Sequence, residues 1–307
     1  MRHLIRFVVS MAALLVASFA MIHLIPGDPV RASLGPAAPV ELVQARTAAL
    51  GLDRPLIEQF FTYVGHVFTG NLGTSFISSE PVGEVIMARL PNTLMLAVLA
   101  TVVALLVALP LGMWAAIRTE NGRNRGTEIT FNSVTGTAVA LPEFLYSIAL
   151  VTVFAIGLHL FPPAGKAGLD SFVLPVASLA IGPIAMIARI ARVETLKELG
   201  SDYIRLARAK RLPAGRLYLR HVLPNTLTAT LTLGGLLLTA LIAGSVLVEY
   251  VFAWPGLGLK ITEAITQKDY PVAQAVILVY GGIVLVVNFA VDLLLGVLDP
   301  TSKIKES

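Results

Sequence analysis

Residues 192–225 read RVETLKELGSDYIRLARAKRLPAGRLYLRHVLPN and separate two long apolar segments of the chain. Gly200 is suited to end one helix, and Ser201 or Asp202 to cap the next. Pro213 is suited to the first turn of a further helix. A simple connection between helices needs only a few residues. This stretch therefore predicts short helices, broken by turns, that lie at a membrane surface between two spans.

The middle of this stretch combines charge with helical periodicity. Tyr203, Leu206, Ala207 and Lys210 recur at helical spacing, so one face would carry much of the apolar surface. A basic loop that only satisfies the positive-inside rule is the simpler interpretation. The length and order of the stretch favour a surface helix that packs against lipid or against a partner protein.

Composition excludes an ordinary soluble domain. The 307 residues are 56% hydrophobic and only 14% charged, with a mean hydropathy of +0.79. The absence of cysteine excludes disulfides, thiolate metal sites and cysteine nucleophiles. The net charge of +4 comes with no basic and aromatic platform for nucleic acid, so no nucleic-acid partner is expected.

Apolar runs long enough to cross a bilayer, about 20 residues each, predict an all-α integral membrane protein with six transmembrane helices. The run before Ile25 is longer than a signal-peptide core and lacks a clear cleavage site, which favours a retained first span over a cleaved signal. Pro110 is expected to kink the second span and Pro142 to break the third. The predicted spans are residues 1–25, 93–117, 129–161, 172–190, 226–250 and 272–298.

Four regions follow from this layout. Residues 1–25 form the first span, residues 26–91 a helical loop outside the cytoplasm, and residues 92–299 a permease-like core that contains the loop 192–225. Residues 300–307 form a tail.

The outer loop contains a predicted helix from Leu56 to Phe68. Its apolar stripe is typical of core packing or interfacial anchoring rather than of substrate contact. The stripe consists of Ile57, Phe60, Phe61, Val64, Val67 and Phe68.

The distribution of cations predicts the orientation of the spans. Sixteen of the 23 Lys and Arg residues fall on the side that holds both termini and the 192–225 loop, and seven fall on the other side. Nine of the sixteen lie between Arg189 and Arg220. By the positive-inside rule, both termini are predicted to be cytoplasmic.

Catalytic and metal motifs are missing from the sequence. There is no GxxxxGK[ST] string for ATP phosphates, no HExxH pair and no GxSxG elbow. The histidines are scattered singly, which favours ordinary structural roles over metal ligation. No catalytic residue and no metal site is therefore expected.

A few polar residues lie in or near the ends of the predicted spans. Ionisable groups at membrane depth are costly and often mark a pathway or a partner contact. Polar groups in helix bundles also find packing partners, so both interpretations remain open. The candidate pathway residues are Asn132, Glu143, Glu249, Asn288 and Asp292.

Several strings resemble the ABC transporter permeases of the dipeptide/oligopeptide/nickel importer family. DYIRLARAKRL followed by RHVLPN is similar to the cytoplasmic EAA loop of these permeases, and IPGDPV, LGLDRPLIEQF, GNLGTSF, WPGLG and NFAVDLLLGVLDP are similar to strings along the rest of the family. The resemblance covers nearly the whole chain and is to the first of two related permease subunits, the DppB/OppB type. Two departures stand out: Arg211 replaces a usual glycine, and Thr301 follows Asp299-Pro300 where arginine is common.

The resemblance implies a type I ABC importer permease in a bacterial or archaeal cytoplasmic (inner) membrane. It implies as partners a second related permease, one or two cytoplasmic ABC ATPases that hold ATP and Mg, an extracytoplasmic substrate-binding protein and membrane lipid. The chain itself would hold no cofactor and would not be an enzyme. The implied ATPase-coupling residues are Asp202, Tyr203, Arg205, Leu206, Ala207, Arg208, Lys210, Arg211, Leu223 and Pro224.

The implied cargo is a short peptide, with nickel, haem or glutathione as alternatives within the family. A glycine at position 211 would permit a positive φ at the end of the coupling helix, so Arg211 predicts either modest backbone strain or a shifted turn. An ion-coupled secondary transporter is the competing class. It predicts inverted repeats and a carboxylate near the centre of the membrane, and neither is evident in the sequence.

Overall fold

The computed structural model describes residues 2–24, 29–35, 37–49 and 51–298. Within these ranges the chain is helical and has no strand, only an isolated antiparallel bridge between Thr74 and Pro81. The helices are α1 Arg2–Leu24, α2 Pro29–Leu34, α3 Val40–Ala49, α4 Leu56–Phe68, α5 Val82–Thr119, α6 Arg125–Ala140, α7 Glu143–Leu150, α8 Val173–Leu199, α9 Asp202–Ala209, α10 Ala214–Leu217, α11 Leu223–Val251, α12 Leu257–Thr266 and α13 Tyr270–Leu298.

Most sequence predictions of helix position are confirmed. The predicted helix from Leu56 to Phe68 has these bounds in the structure. Helix α5 begins at Val82, well before the predicted span start at Thr93, and continues through Pro110. Helix α8 extends past the predicted end of the fourth span to Leu199, followed by Gly200.

Four helices in the described residues are long and apolar enough to cross a membrane. Their candidate stretches are Leu4–Met21, Val82–Gly122, Asp170–Leu199 and Tyr270–Ala290. Helix α11 has a shorter apolar part, Leu236–Val251. The count of six spans therefore stays a prediction.

The predicted third span is broken where the sequence indicates. Helix α6 ends at Ala140, α7 begins at Glu143, and the two arms Arg125–Ala140 and Glu143–Gly157 are bent by 98°. Pro142 has an extended ψ of 145°, which lies outside the helical range, so α6 ends before it and α7 begins after it. The second arm ends in a π-helical stretch, Val151–Gly157.

The chain divides into two compact units. One comprises Met1–Thr93 and Pro255–Ala290, and the other comprises Leu94–Trp254 and Val291–Ser307. The predicted tail 300–307, with Asp299-Pro300-Thr301, lies outside the described residues.

In the second unit, α8 packs against α6, α7 and α11. A cluster of buried side chains, Ala108, Ala115, Phe131, Ile187 and Ala188, forms part of its core. Gly112 allows a close helix crossing, because a Cβ there would lie 2.4 Å from the Ala188 carbonyl oxygen. Small residues at such crossings let helix backbones approach each other in a bilayer.

In the first unit, α4 packs against α1. The Phe19 ring meets Phe60 edge-on at 5.3 Å between centroids and lies 5.8 Å from Tyr63. Tyr63 Oη donates to Ser18 Oγ at 3.1 Å, and Ser18 Oγ donates to the Gln274 carbonyl of α13. Burial raises the pKa of the Tyr63 hydroxyl, and the bond to Ser18 offsets part of that rise.

The loop after α4 is held by a buried carboxylate. Asp269 accepts a hydrogen bond from Ser75 Oγ at 2.5 Å and another from the Phe76 amide at 3.0 Å. Asp269 and Ser75 are both buried, and they are 194 positions apart in the sequence. We call this arrangement the Asp269 clasp.

Candidate functional site

Helix α9 begins where the sequence predicts, but its cap differs from the prediction. Ser201 occupies the N-cap position, yet its hydroxyl makes no bond to the first turn of α9. Ser201 Oγ instead donates to the Glu198 carbonyl at 2.6 Å, at the end of α8. The serine therefore closes the preceding helix rather than opening the next.

One side of α9 is buried in the core of its own unit. Ile204 is fully buried and Ala207 nearly so, in a cluster with Met113, Leu199, Leu217 and Val222. The methyl group of Ala207 packs against its own chain, which favours a supporting role for this residue over direct contact with a partner ATPase. Its predicted part in coupling stays a prediction.

Helix α9 is also tied to neighbouring segments by polar contacts. Arg208 forms an ion pair with Glu120 at 2.8 Å, and that carboxylate raises the pKa of the guanidinium. Tyr203 Oη donates to the Glu198 carboxylate, and Asn225 donates to Tyr203 Oη at 2.8 Å. Burial raises the pKa of the Tyr203 hydroxyl, and the bond to Glu198 adds to the rise. These contacts fix α9 to the ends of α5, α8 and α11.

A second ion pair joins α8 to the start of α6. Arg192 pairs with Glu128 at 2.8 Å and also donates to Thr119 Oγ1 at 3.0 Å. The Arg192 side chain is only 11% exposed. The pair is only partly buried, since the Glu128 side chain is 38% exposed, but removing Glu128 would leave the nearly buried guanidinium without its counter-ion.

The opposite side of α9 is exposed and carries mixed charge. Leu206 is 58% exposed, and Asp202, Arg205 and Lys210 are exposed around it. The Arg205–Asp202 pair at 3.3 Å is open to solvent and contributes little. This outer face is an apolar side chain ringed by charges, which suits docking into a groove on a partner.

Helix α9 ends in a Schellman motif with a non-glycine residue in the left-handed position. The Arg211 amide donates to the Arg208 carbonyl at 2.9 Å, and the Leu212 amide donates to the Ala207 carbonyl at 3.3 Å. Arg211 has φ +54°, so the predicted strain at this position is confirmed. Leu212 packs against the Ala207 cluster, which holds the turn closed.

The other predicted coupling residues lie where α11 begins. A π-helical turn, Tyr218–Val222, leads directly into α11. Leu223 starts α11 and packs against the buried cluster, and Pro224 occupies the first turn of the helix, where its missing N–H has no helical partner to lose.

The structure separates the predicted pathway residues. Asn132 is exposed on α6, and Glu143 is half-buried at the break before α7. Glu249 is fully buried in α11 and accepts a hydrogen bond from Ser245 Oγ at 3.0 Å, which indicates a packing role for it. Asn288 lies in the part of α13 that belongs to the first unit, and the side chain of Asp292 lies outside the described residues.

Comparison with known proteins identifies the chain. Residues 108–304 match the family model described as "Binding-protein-dependent transport system inner membrane component", and residues 1–97 match the model of the corresponding N-terminal region. The chain belongs to this permease family. Within it, the chain is a member of the DppB/OppB-like importer permeases.

Curated relatives align over almost the full chain. The glutathione transport system permease protein GsiC of Salmonella choleraesuis is 32% identical over 305 residues, which is 99% of this chain and 98% of the relative. GsiC of Escherichia coli K12 is 33% identical over 287 residues, which is 94% of this chain and 92% of the relative.

A solved structure shares the fold. A chain of the MetNI methionine ABC transporter in an inward-facing conformation matches with a TM-score of 0.58 at 17% identity, over 72% of this permease and 99% of that chain. The permease is therefore an integral membrane subunit of an ABC importer with a type I permease fold. It is not an enzyme, because ATP hydrolysis in such importers belongs to a separate subunit. The competing class, an ion-coupled secondary transporter, is set aside.

Several residues that shape the site were not singled out from the sequence. In the sequence Ile204 lies between Tyr203 and Arg205, so it does not stand out as a core residue. It lies three positions before Ala207, however, and this helical spacing could have indicated the buried stripe. No sequence pattern indicated a role for Glu120 or Glu198, because only the folded chain places them in contact with Arg208 and Tyr203.

Among the described residues of the permease, no group of three or more His, Cys, Asp or Glu side chains could hold a metal ion. The site is therefore described by its packing and its charges alone.

Proposed function

We propose that this permease forms half of the translocation pathway for short peptides that an extracytoplasmic binding protein delivers. The GsiC relatives support peptides as the substrate. These relatives align over nearly the full chain, and glutathione is itself a tripeptide. The peptide cargo suggested by the sequence and the glutathione alternative thus describe one chemical class. Nickel and haem have no comparable support.

A second, related permease completes the pathway in this proposal. The permease crosses the membrane six times, with the bent α6–α7 pair as the third span and α11 as the fifth. Both termini, and with them α9, lie in the cytoplasm. The positive-inside rule supports this orientation, since sixteen of 23 Lys and Arg residues fall on that side.

Helix α9 transmits the work of a cytoplasmic ATPase that binds ATP and Mg. Alternating access requires that nucleotide binding favour one conformation of the pathway over the other. Helix α9 can transmit this conformational preference to the pathway only if it moves together with the transmembrane helices. The buried Ile204 and Ala207 and the Arg208–Glu120 pair support such rigid attachment, while the exposed Leu206 face is free to meet the ATPase.

The single observation behind this coupling role is the two-sided character of α9, with one face in its own core and the other exposed. A substitution at Ala207 would test it poorly, because an acidic side chain there would disrupt the core. Leu206 is the better position, because it is the large apolar residue at the centre of the exposed face.

Absence of cysteine makes a direct test simple. Leu206→Cys, in a complex reconstituted with the second permease, the ATPases and the binding protein, is expected to form a thiol cross-link to an ATPase subunit that carries a cysteine in its groove. Leu169→Cys is the matched control, because Leu169 is 86% exposed on a loop that the proposal places outside the cytoplasm. In the same complex, Leu206→Asp should abolish the stimulation of ATP hydrolysis by peptide-loaded binding protein. An active complex in which position 206 never cross-links to the ATPase would refute the coupling role.

A further inference from the structure

Glu143 is a carboxylate inside a predicted span. It is the first residue of α7, directly after the break that divides Arg125–Ala140 from Glu143–Gly157. Because the two arms have similar lengths, this position falls near the middle of the broken pair, which differs from the sequence-based expectation that no carboxylate lies near the centre of a span. From Ile129 to Ala140 and from Phe144 to Gly157 the sequence contains no other ionisable residue except Tyr146.

The carboxylate of Glu143 packs against the α-carbon of Gly244 in α11. A Cβ at position 244 would lie 3.4 Å from Glu143 Oε2. The glycine therefore leaves room beside the carboxylate, but it offers no charge to pair with it.

The helices packed against α7 provide no cation that pairs with Glu143, because the nearest charged residues of α8 begin at Arg189 and Arg192 pairs with Glu128. Helix α8 has no charged residue between Val173 and Ala188, and the only carboxylate or cationic side chain of α11 is Glu249, which is bound by Ser245. None of the described residues forms an ion pair with the Glu143 carboxylate or donates a hydrogen bond to it. Glu143 is thus a half-buried carboxylate with no cationic partner among the described residues, and only the positive end of the α7 dipole favours its charge.

An unpaired carboxylate at this depth is too costly to face lipid. Charged residues in transmembrane segments almost always face the interior of the bundle or a water-filled cavity, and there they mark a substrate or ion path. The group that stabilises such a carboxylate best is a cation that forms a charge-assisted hydrogen bond with it.

We propose that Glu143 faces the translocation pathway and binds the ammonium group of the transported peptide. The inference rests on the proposed function, since it takes short peptides as the cargo. Every peptide with a free amino terminus carries an ammonium group there, whatever its side chains, so a single carboxylate in an otherwise uncharged stretch of the pathway recognises the whole class. The carboxylate end of the peptide is repelled from the same point, which gives the peptide a preferred orientation as it passes.

The test measures selectivity in the assembled complex. Binding of trialanine and of N-acetyl-trialanine is measured on the complex of both permeases and the ATPases in nanodiscs, without the binding protein, so that only the pathway discriminates. Uptake of trialanine into liposomes, with the binding protein present, is measured in parallel. The variants are Glu143→Gln, which removes the charge, and Glu143→Asp, which keeps it.

We expect Glu143→Gln to weaken binding of trialanine about tenfold, the scale of one lost charge-assisted hydrogen bond, and to lower its uptake. Binding of the N-acetylated peptide should be equal in the two proteins. Glu143→Asp should retain the preference for the free amine.

Three results would overturn the inference. The first is an unchanged preference for the free amine in Glu143→Gln. The second is loss of the second permease from purified Glu143→Gln complexes, because the carboxylate would then pair with a cation of that subunit. The third is a wild-type complex that takes up no peptide, which refutes the proposed function itself, whereas normal uptake with unchanged selectivity refutes only the role of Glu143.

Discussion

Helices α4 and α9 are both short, amphipathic and predicted from the sequence to lie between spans, but the structure anchors them differently. Helix α9 inserts Ile204 and Ala207 into the core of its own unit. Helix α4 packs through Phe60 and Tyr63 and leaves much of its apolar stripe exposed, with Phe68 80% exposed. The loop that follows α4 is held by a polar contact, the Asp269 clasp.

The difference shows that an apolar stripe in the sequence of a helix does not by itself predict which surface buries that stripe. The stripe of α9 is narrow and is covered within the chain, which makes the helix a rigid extension of α5, α8 and α11. The stripe of α4 is split, and its outer residues Ile57, Phe61 and Phe68 are exposed in this chain. Substitutions in the two segments should therefore have unequal effects.

The largest contrast is expected from removing one buried side chain of α9. Ile204→Ala should lower the free energy of local opening of α9 by about 2–5 kcal/mol, because it removes fully buried methyl groups and leaves a cavity. The matched change in α4, Ile57→Ala, should alter the opening of α4 by less than about 0.5 kcal/mol, because Ile57 is exposed. Amide hydrogen exchange of the two helices in the assembled complex measures both. Similar losses in the two helices would remove the distinction between them.

An intermediate effect is expected at the Asp269 clasp. Asp269→Ala leaves Ser75 Oγ and the Phe76 amide without their acceptor, which should cost about 1–3 kcal/mol in the opening of the loop 73–81. Ser78→Ala is the control, because its long 3.4 Å contact with the Glu80 amide is exposed. Hydrogen exchange of the Phe76 amide gives the measurement. Unchanged protection of that amide in Asp269→Ala would mean that other contacts hold the loop.

The smallest effect is expected at the end of α9, and it has the opposite sign. Arg211→Gly should stabilise the helix end by about 0.5–1 kcal/mol, because the left-handed conformation costs an L-residue about 1–2 kcal/mol and glycine loses part of that gain in entropy. Lys210→Gly should instead destabilise it, because Lys210 has φ −76°. Exchange rates at the Leu212 amide distinguish the two variants. Stabilisation by both would show that the backbone conformation at 211 is not the cause.

Local features were largely predictable. The bounds of α4, the start of α9 after Gly200 and the break at Pro142 all follow from rules that act over a few residues. The positive φ at Arg211 was expected only because the family that the chain resembles usually has glycine there. Two other helices end with left-handed residues that give no such sequence signal, Ala253 and Lys268. There the amides of Trp254 and Asp269 close the same type of turn, and long-range packing supports a residue that local preference would not choose.

By itself, the sequence determined that the chain is a helical membrane protein with motifs that resemble one permease family, where a predicted span breaks, and which segment between spans carries the densest group of cations. Each of these depends on hydropathy, on proline and glycine, or on motif spacing, all of which act between residues close in the chain. The tertiary structure alone decided which face of α9 is buried, that Arg208 meets Glu120, that Ser75 meets Asp269, and that Glu143 has no cation beside it. Those outcomes depend on side chains that are distant in sequence and become neighbours only when the helices pack, so no local pattern encodes them.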